Sequence, residues 1–224
     1  MLNKKTINSF ENLYKKGYDK SYPHIELVRL EKLFLNKNKK KTLDYGSGHG
    51  ANGIHLLKRG YEVTFCDISK YALKIVKKKI SKKYKKKTKY LHLQNVKCLE
   101  KKIYQNYFDN IICLSVINNL SSLKQFKKIF LMFNKMLKSK GKLIVDTNLV
   151  ENNYKVLKKI NSTTILTSLD EKNNFKFKMC FPKNINQFSK ILESSGFQIK
   201  DIGHSSFKVF NQFEKVILFC AVKK

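Results

Sequence analysis

Leu43-Asp44-Tyr45-Gly46-Ser47-Gly48-His49-Gly50-Ala51-Asn52-Gly53 decides how this 224-residue chain is read. A short apolar run, Thr42–Tyr45, leads into the glycines, and Asn52–Lys58 then carries the apolar spacing of a helix. In an open α/β sheet, a strand, a glycine loop and a helix in that order put a ligand at the carboxyl end of the strand. Glycines there let the backbone approach the ligand without a Cβ in the way. Two patterns overlap in the loop. Gly48, Gly50 and Gly53 match G-x-G-x-x-G, a weak signal on its own. Gly46, Gly48 and Gly50 match G-x-G-x-G, with Asp44 two positions before it. An acid so close to the first glycine suits a cationic ligand better than a pyrophosphate, on Coulomb's law alone. About 20 residues on, Asp67 closes the next apolar run, where a carboxylate can accept both hydroxyls of a ribose.

Outward from the loop, strands and helices alternate. Tyr61–Cys66, Tyr90–Leu93, Phe108–Leu114 and Leu143–Asp146 read as strands. Ser69–Ile80, with Ser69 as N-cap, and Ser121–Leu137 read as helices, the latter running into a turn at Lys140-Gly141. Such alternation predicts a doubly wound, mostly parallel α/β sheet with helices on both faces. Upstream, about Ile7 to Leu35 reads as two short helices broken near Gly17 and Pro23. Downstream, Asn184–Ser195 is a helix closed by Gly196, and Phe197–Ile202 and Val216–Val222 are strands with no helix between them, which permits an antiparallel pair. Between Glu151 and Phe181 lies an insertion in which Thr163–Thr167 and Phe175–Cys180 can form a hairpin across Asp170–Asn174.

The length suits one α/β domain with a real core and is short for two. No apolar run approaches membrane-spanning length, and no apolar stretch follows the N-terminal lysines as a secretory signal would. Cys66, Cys98, Cys113, Cys180 and Cys220 stand far apart without a CxxC pair, so they read as reduced core residues of a cytoplasmic protein, with no metal site expected. The formal charge of +31 invites a nucleic-acid partner, yet of 47 basic residues only Arg29 and Arg59 are arginine, the residue suited to bidentate phosphate recognition. A chain rich in Lys, Asn, Ile, Phe and Tyr also looks like the product of an AT-rich genome. The clusters Lys37–Lys41, Lys77–Lys89, Lys101-Lys102 and Lys138–Lys142 all precede expected strands. They should therefore lie at the amino edge of the sheet, opposite the ligand crevice.

From Lys41 to Lys224 the chain resembles the class I S-adenosylmethionine-dependent methyltransferases, especially the small-molecule, methyltransferase-domain type 11/12-like branch. The stretch from Asp44 to Gly50, including Gly46, Ser47 and Gly48, is similar to the family's first motif, which holds the methionine moiety of a cofactor bearing a sulfonium and an ammonium. Asp67-Ile68 resembles the ribose-binding acid and the apolar residue against adenine. Gln94-Asn95-Val96 falls where the family has an acid reading the adenine amino group, with Asn95 in its place. Phe108–Val116 resembles the fourth-strand motif, whose end lines the transfer site. On this resemblance Asn52, Asn95, Val96, Leu114, Ser115 and Asn119 join the cofactor contacts. Lys138–Val145 and Ser195-Gly196-Phe197 resemble the later strand entries. The resemblance implies a seven-stranded sheet of order 3-2-1-4-5-7-6 with the last strand antiparallel, and S-adenosylmethionine as cofactor.

The implied layout is a single domain: residues 1–40 as a helical cover, 41–148 as the cofactor-binding core, 149–182 as an insertion on the acceptor side, and 183–224 as the closing helix and strand pair. Where the family often has a histidine pair near the acceptor, this chain has Asn118-Asn119, which removes a general base from that place. His24 is the catalytic candidate, in a segment whose Tyr18-Asp19-Lys20-Ser21-Tyr22 suits a lid. His49 reads as a spacer in the loop, and His55 and His92 as structural residues. His204 reaches the substrate side only if the terminal loop folds back. Asp146, Thr147 and Asn148 are candidate acceptor contacts. The expected activity is methyl transfer to an O, N or S nucleophile of a small molecule such as a metabolite, sugar or lipid precursor. The alternatives are an RNA methyltransferase docking through its lysines, and a cofactor-binding regulatory protein without catalysis. The absence of the Asn/Asp-Pro-Pro-aromatic motif weakens the adenine-methylating version of the nucleic-acid reading and leaves RNA ribose or ring-carbon methylation open. The placement of the lysines favours the small-molecule reading over RNA.

Overall fold

A computed structural model describes residues 4–19, 21–35, 38, 40–93, 99, 102–149, 156–168, 176–209 and 212–224. Its main sheet has seven strands: β1 (Lys41–Tyr45), β2 (Glu62–Asp67), β3 (Thr88–His92), β4 (Phe108–Cys113), β5 (Leu137–Thr147), β9 (Phe197–Val209) and β10 (Gln212–Lys223). They lie in the order β3-β2-β1-β4-β5-β10-β9. The first five are mutually parallel, and β10 runs antiparallel to both β5 and β9. This is the expected order 3-2-1-4-5-7-6, with three further strands in the insertion numbered between.

Each central strand is buried on both faces, as a sheet covered on both sides by helices requires. Alternate residues feed two cores. Leu43, Ile111, Leu143 and Phe219 pack on one face against Phe126, Phe130 and Phe133 of α5 (Leu123–Met136) and Phe188 of α6 (Ile185–Glu193). Phe65, Ile112, Ile144 and Leu218 pack on the other. Their partners are Leu27 of α2 (Ile25–Leu33), Leu56 and Leu57 of α3 (Ala51–Lys58), and Leu73 and Val76 of α4 (Lys70–Lys79). Ser69, Ser122 and Asn184 cap α4, α5 and α6 through their side chains, each satisfying one otherwise orphaned N–H. The four described cysteines, Cys66, Cys113, Cys180 and Cys220, are buried thiols; Cys98 lies outside the described residues.

Three boundaries differ from the sequence reading. The turn expected at Lys140-Gly141 is a bulge inside β5, which begins directly where α5 stops. There the register with β4 jumps between the Phe108↔Leu137 and Asn110↔Lys142 pairs, and Lys140 takes a left-handed φ of 57°. The terminal strands are longer than their apolar cores, because polar residues Asp201–Ser206 continue the β9–β10 ladder. The insertion holds a second sheet of order β6-β7-β8: β6 (Val156–Asn161), β7 (Thr164–Ser168) and β8 (Lys176–Cys180). β7 and β8 pair antiparallel as expected, their connection lying outside the described residues, and β6 was not anticipated. Upstream, α1 (Lys4–Lys15) and α2 are the two expected helices. α1 packs on α4 and β8, so it bridges the main sheet's helical layer and the insertion. Among the described residues no helix is long and apolar enough to cross a membrane.

Candidate active site

The ends of β1, β2, β4 and β5 converge with the glycine loop on two adjoining cavities. The larger, about 280 Å³, is lined by Gly46–His49, Asn52, Leu114, Ser115, Asn119 and Asp146 from the sheet side. Phe10, Leu13, Tyr14, Tyr18, Tyr22 and His24 close it from the N-terminal segment, and Thr167, Phe177 and Met179 from the insertion. The smaller, about 80 Å³, lies between Asp67, Ile68, Leu93, Val116 and Leu120, with Phe10 and Tyr14 shared.

The loop owes its shape to the two carboxylates beneath it. Asp44 Oδ2 accepts from the Gly53 N–H at 3.0 Å, in the first turn of α3. That N–H is one of the donors a pyrophosphate would otherwise use, so the acid removes the dinucleotide reading of the loop. Gly53 is glycine because α3 lies directly on β2. A Cβ there would stand 2.3 Å from Phe65 Cε1 and 2.8 Å from Asp44 Oδ2. Asp67 Oδ2 accepts from Gly48 N and Oδ1 from Ser69 N, both at 2.8 Å, tying loop and α4 to the end of β2.

Both acids are nearly inaccessible, and among the described residues neither has a lysine or arginine partner. Burial pushes Asp44 up to about 7; the Gly53 N–H opposes the shift and Asp67 adds to it. Burial likewise raises Asp67 to about 6, against the N–H groups of Ser69, Gly48 and Ile68. Two buried carboxylates without a cation are a costly arrangement, and a bound cation offsets the cost.

Tyr14 covers this pair from α1. A Cβ on Gly48 would lie 2.6 Å from its hydroxyl oxygen, so loop and lid touch. Burial, with Asp67 adding, holds the phenol neutral well above its usual range. Glu11, one turn earlier, accepts from the Ser69 hydroxyl and from Tyr71 N, and Lys79 of α4 pairs with Asp19. The segment is thus latched to α4 at two places.

Opposite the lid, Ser115 follows β4 with a φ of 57°, held by an N–H bond to Asp146 Oδ1 at 2.7 Å and by Asn119 Nδ2 on its carbonyl at 3.1 Å. Its hydroxyl lies 3.2 Å from His24 Nε2, and His24 N donates to Asn52 Oδ1 at 2.9 Å. The structure therefore brings together His24, Asn52, Ser115 and Asn119 on one wall, and Asp44, Gly46, Ser47, Gly48, Gly50, Asp67 and Ile68 around the loop. Asn95 and Val96 lie outside the described residues.

Of the acceptor-side candidates, Asp146 and Asn148 line the larger cavity. Thr147 is fully buried and bonds Asn118 instead. Asn118 also donates to Cys180 O at 2.8 Å, so the asparagine standing in the histidine position pins the insertion sheet to the core. His49 is nearly buried in the loop with Nδ1 3.7 Å from Asp19. His92 Nε2 meets Ile68 O at 3.0 Å. Sequence reasoning missed Phe10, Leu13 and Tyr14, whose signal was a helical i, i+3, i+4 apolar face. It also missed Phe177 and Met179, alternate inward residues of β8.

Sheet order, switch-point cleft and acid-backed glycine loop define a Rossmann-like domain of the methyltransferase class. Residues 43–143 match a family described as a methyltransferase domain. The chain thus carries a methyltransferase-domain match over those residues, and its fold is the one found in S-adenosylmethionine-dependent methyltransferases. No curated protein matches it in sequence. Among solved structures, a SAM-dependent methyltransferase from Methanosarcina mazei is 15% identical with a TM-score of 0.72, the match covering 90% of this chain and 98% of that one. Magnesium protoporphyrin IX methyltransferase from Synechocystis, solved with bound S-adenosylhomocysteine, is 18% identical with a TM-score of 0.68 and covers of 99% and 100%. The 1,6-didemethyltoxoflavin N1-methyltransferase of Burkholderia thailandensis, with its acceptor and S-adenosylhomocysteine bound, is 12% identical with a TM-score of 0.70 and covers of 98% and 88%.

Proposed function

We propose that this chain is a class I S-adenosylmethionine-dependent methyltransferase that methylates an O, N or S nucleophile of a small molecule, a metabolite, sugar or lipid precursor, in the cavity between the lid and the insertion sheet. The observation that carries the reading is the wall of that cavity. It joins Phe10, Leu13, Phe177 and Met179 to the polar groups of Ser115, Asn148 and His24, and among its described residues there is no lysine or arginine. An apolar cleft with a few convergent polar groups suits a small acceptor. A polyanion would meet Asp146 in that wall and Asp67 in the adjoining cavity. The acceptors named for the Synechocystis and Burkholderia enzymes are small molecules as well.

In this reading Asp44 faces the cationic methionine end of the cofactor, with Gly46, Ser47, Gly48, Gly50 and Asn52 beside it. Asp67 accepts from the ribose, Ile68 lies on the adenine, and Leu114, Ser115 and Asn119 close the transfer side. Asn95 and Val96 keep the adenine-edge role that the resemblance implies. The cofactor supplies an electrophilic methyl group on a sulfonium. What the chain supplies is largely position: Phe10 and Tyr14 exclude water, Ser115 fixes the end of β4, and His24 Nε2 stands ready to take the acceptor's proton. Residues 1–40 act as cover, 41–148 as core, 149–182 as acceptor-side insertion and 183–224 as closing segment of one cytoplasmic domain. The test is turnover with methyl-labelled cofactor on fractionated metabolite extracts and on total RNA. Label in a small-molecule fraction is expected; label entering only RNA overturns the reading.

A further inference from the structure

If His24 takes the proton, something must hold its ring and compensate the charge it gains. Nδ1 lies 3.8 Å from Glu26 Oε2, and the other oxygen of Glu26, Oε1, accepts from the hydroxyl of Ser205 on β9. His204, which would reach the substrate side only on a folded-back terminal loop, is exposed on that strand, and its neighbour Ser205 makes the contact. Among the described ion pairs Glu26 has no cation but His24, whereas Asp19, the acid beside His49, is shared with Lys79. The arrangement runs Ser205, Glu26, His24, Ser115, and draws on β9, α2, the residue before α2 and the end of β4.

We propose that Glu26 is a positioning residue for His24 and that Ser205 sets Glu26. This rests on the reading of His24 as the base. With Nδ1–H directed at Glu26, the lone pair of Nε2 faces the cavity. There the acceptor's O–H or N–H bond breaks, its electron pair stays on the acceptor atom, and the proton forms the Nε2–H bond, to be returned to solvent after the product leaves. Glu26 stabilises the imidazolium. At 3.8 Å the contact is an ion-pair distance, longer than a hydrogen bond, and both side chains are partly accessible (27% and 17%), so the coupling is moderate. On the cavity side Ser115, uncharged, meets the ring at Nε2, and Asn52 of α3 takes the His24 backbone N–H rather than the ring. Asp146 of β5, Tyr18 and Tyr22 line the same cavity.

The test is an NMR pH titration of the histidine rings in the full chain saturated with S-adenosylhomocysteine, with His24 assigned by its loss in His24→Ala. Glu26→Gln should lower the His24 midpoint by about one unit, since a nearby carboxylate favours the charged ring. Ser205→Ala should lower it less, and the His49 midpoint should stay put in both. An unmoved His24 midpoint in Glu26→Gln overturns the inference. Label transfer to the active metabolite fraction separates it from the reading beneath. His24→Ala should abolish most transfer, and Glu26→Gln should slow it about tenfold at unchanged S-adenosylhomocysteine affinity. Wild-type transfer by His24→Ala refutes the base itself. Loss in His24→Ala with wild-type transfer by Glu26→Gln refutes only the positioning role.

Discussion

The two edges of the main sheet are built from the same strands and carry opposite chemistry. At the carboxyl edge stand Asp44, Asp67 and Asp146, all buried, with Glu11, Asp19 and Glu26 reaching in from the lid and α2. At the amino edge, Lys41, Lys86, Lys87 and Lys89 surround the starts of β1, β2 and β4. There Lys41 and Lys89 lie over the Tyr107 ring at 4.8 and 5.1 Å, and Lys138 pairs with Asp109. A chain of net charge +31 has thus concentrated many of its few acids around one cleft. Net charge therefore says little about this protein's ligand, because the field that matters is local and the remote charge is screened within about 10 Å.

The carboxyl edge is most sensitive to change at Asp67. Its two oxygens each take a loop or helix N–H, so Asp67→Ala would leave buried donors unsatisfied at about 1–3 kcal/mol apiece and confuse stability with binding. Asp67→Asn keeps the shape and removes the charge. S-adenosylmethionine affinity measured by calorimetry should fall about tenfold or more, the scale of a charge-assisted hydrogen bond. Unchanged affinity would reject the cofactor role at that position.

The same buried acids make the cleft pH-dependent. Asp44 at about 7 and Asp67 at about 6 are raised above their unfolded values. The free protein therefore binds more protons than the unfolded chain between about pH 4 and 7. Their contribution to stability is full below that window and lost as pH rises through it. A cation in the cleft favours the ionised acids, so cofactor binding releases protons. Affinity should rise about tenfold from pH 6 to 8, and the melting-temperature gain on adding S-adenosylmethionine should grow with it. In Asp44→Asn the slope should flatten; an equal slope in variant and wild type would detach the effect from Asp44.

What was legible in the sequence was whatever has a local signature. Buried parallel strands read as apolar runs, Ser69 and Gly196 as helix ends, and Asp44 with Asp67 as the acids flanking a glycine loop. β6 was illegible because Val156–Asn161 is exposed throughout and lacks a period-2 pattern. The length of β9 and β10 was hidden by polar residues that pair beyond the core. The lid contacts of Glu11 and Tyr14, and the meeting of His24 with Ser115 across 91 positions, depend on tertiary placement and have no local signal at all.

The smallest expected effect lies at the other edge. Lys82–Lys87 form a 3-10 turn leading into β3, and no residue of that turn lines either cleft cavity. Lys85, Lys86 and Lys87 changed together to glutamine remove three charges from a surface where each is worth little to stability. Cofactor affinity and label transfer to the metabolite fraction should stay within twofold of wild type. Any binding of single-stranded RNA should be electrostatic and indifferent to sequence. Its log affinity should fall with log salt at roughly −0.7 per neutralised phosphate, and the triple variant should shorten that slope by about two units if all three lysines contact the strand. A triple variant that holds cofactor normally yet no longer transfers label would mean that the amino edge delivers the true acceptor. The RNA reading would then displace the small-molecule one, and the acids of the carboxyl edge would keep only their cofactor role.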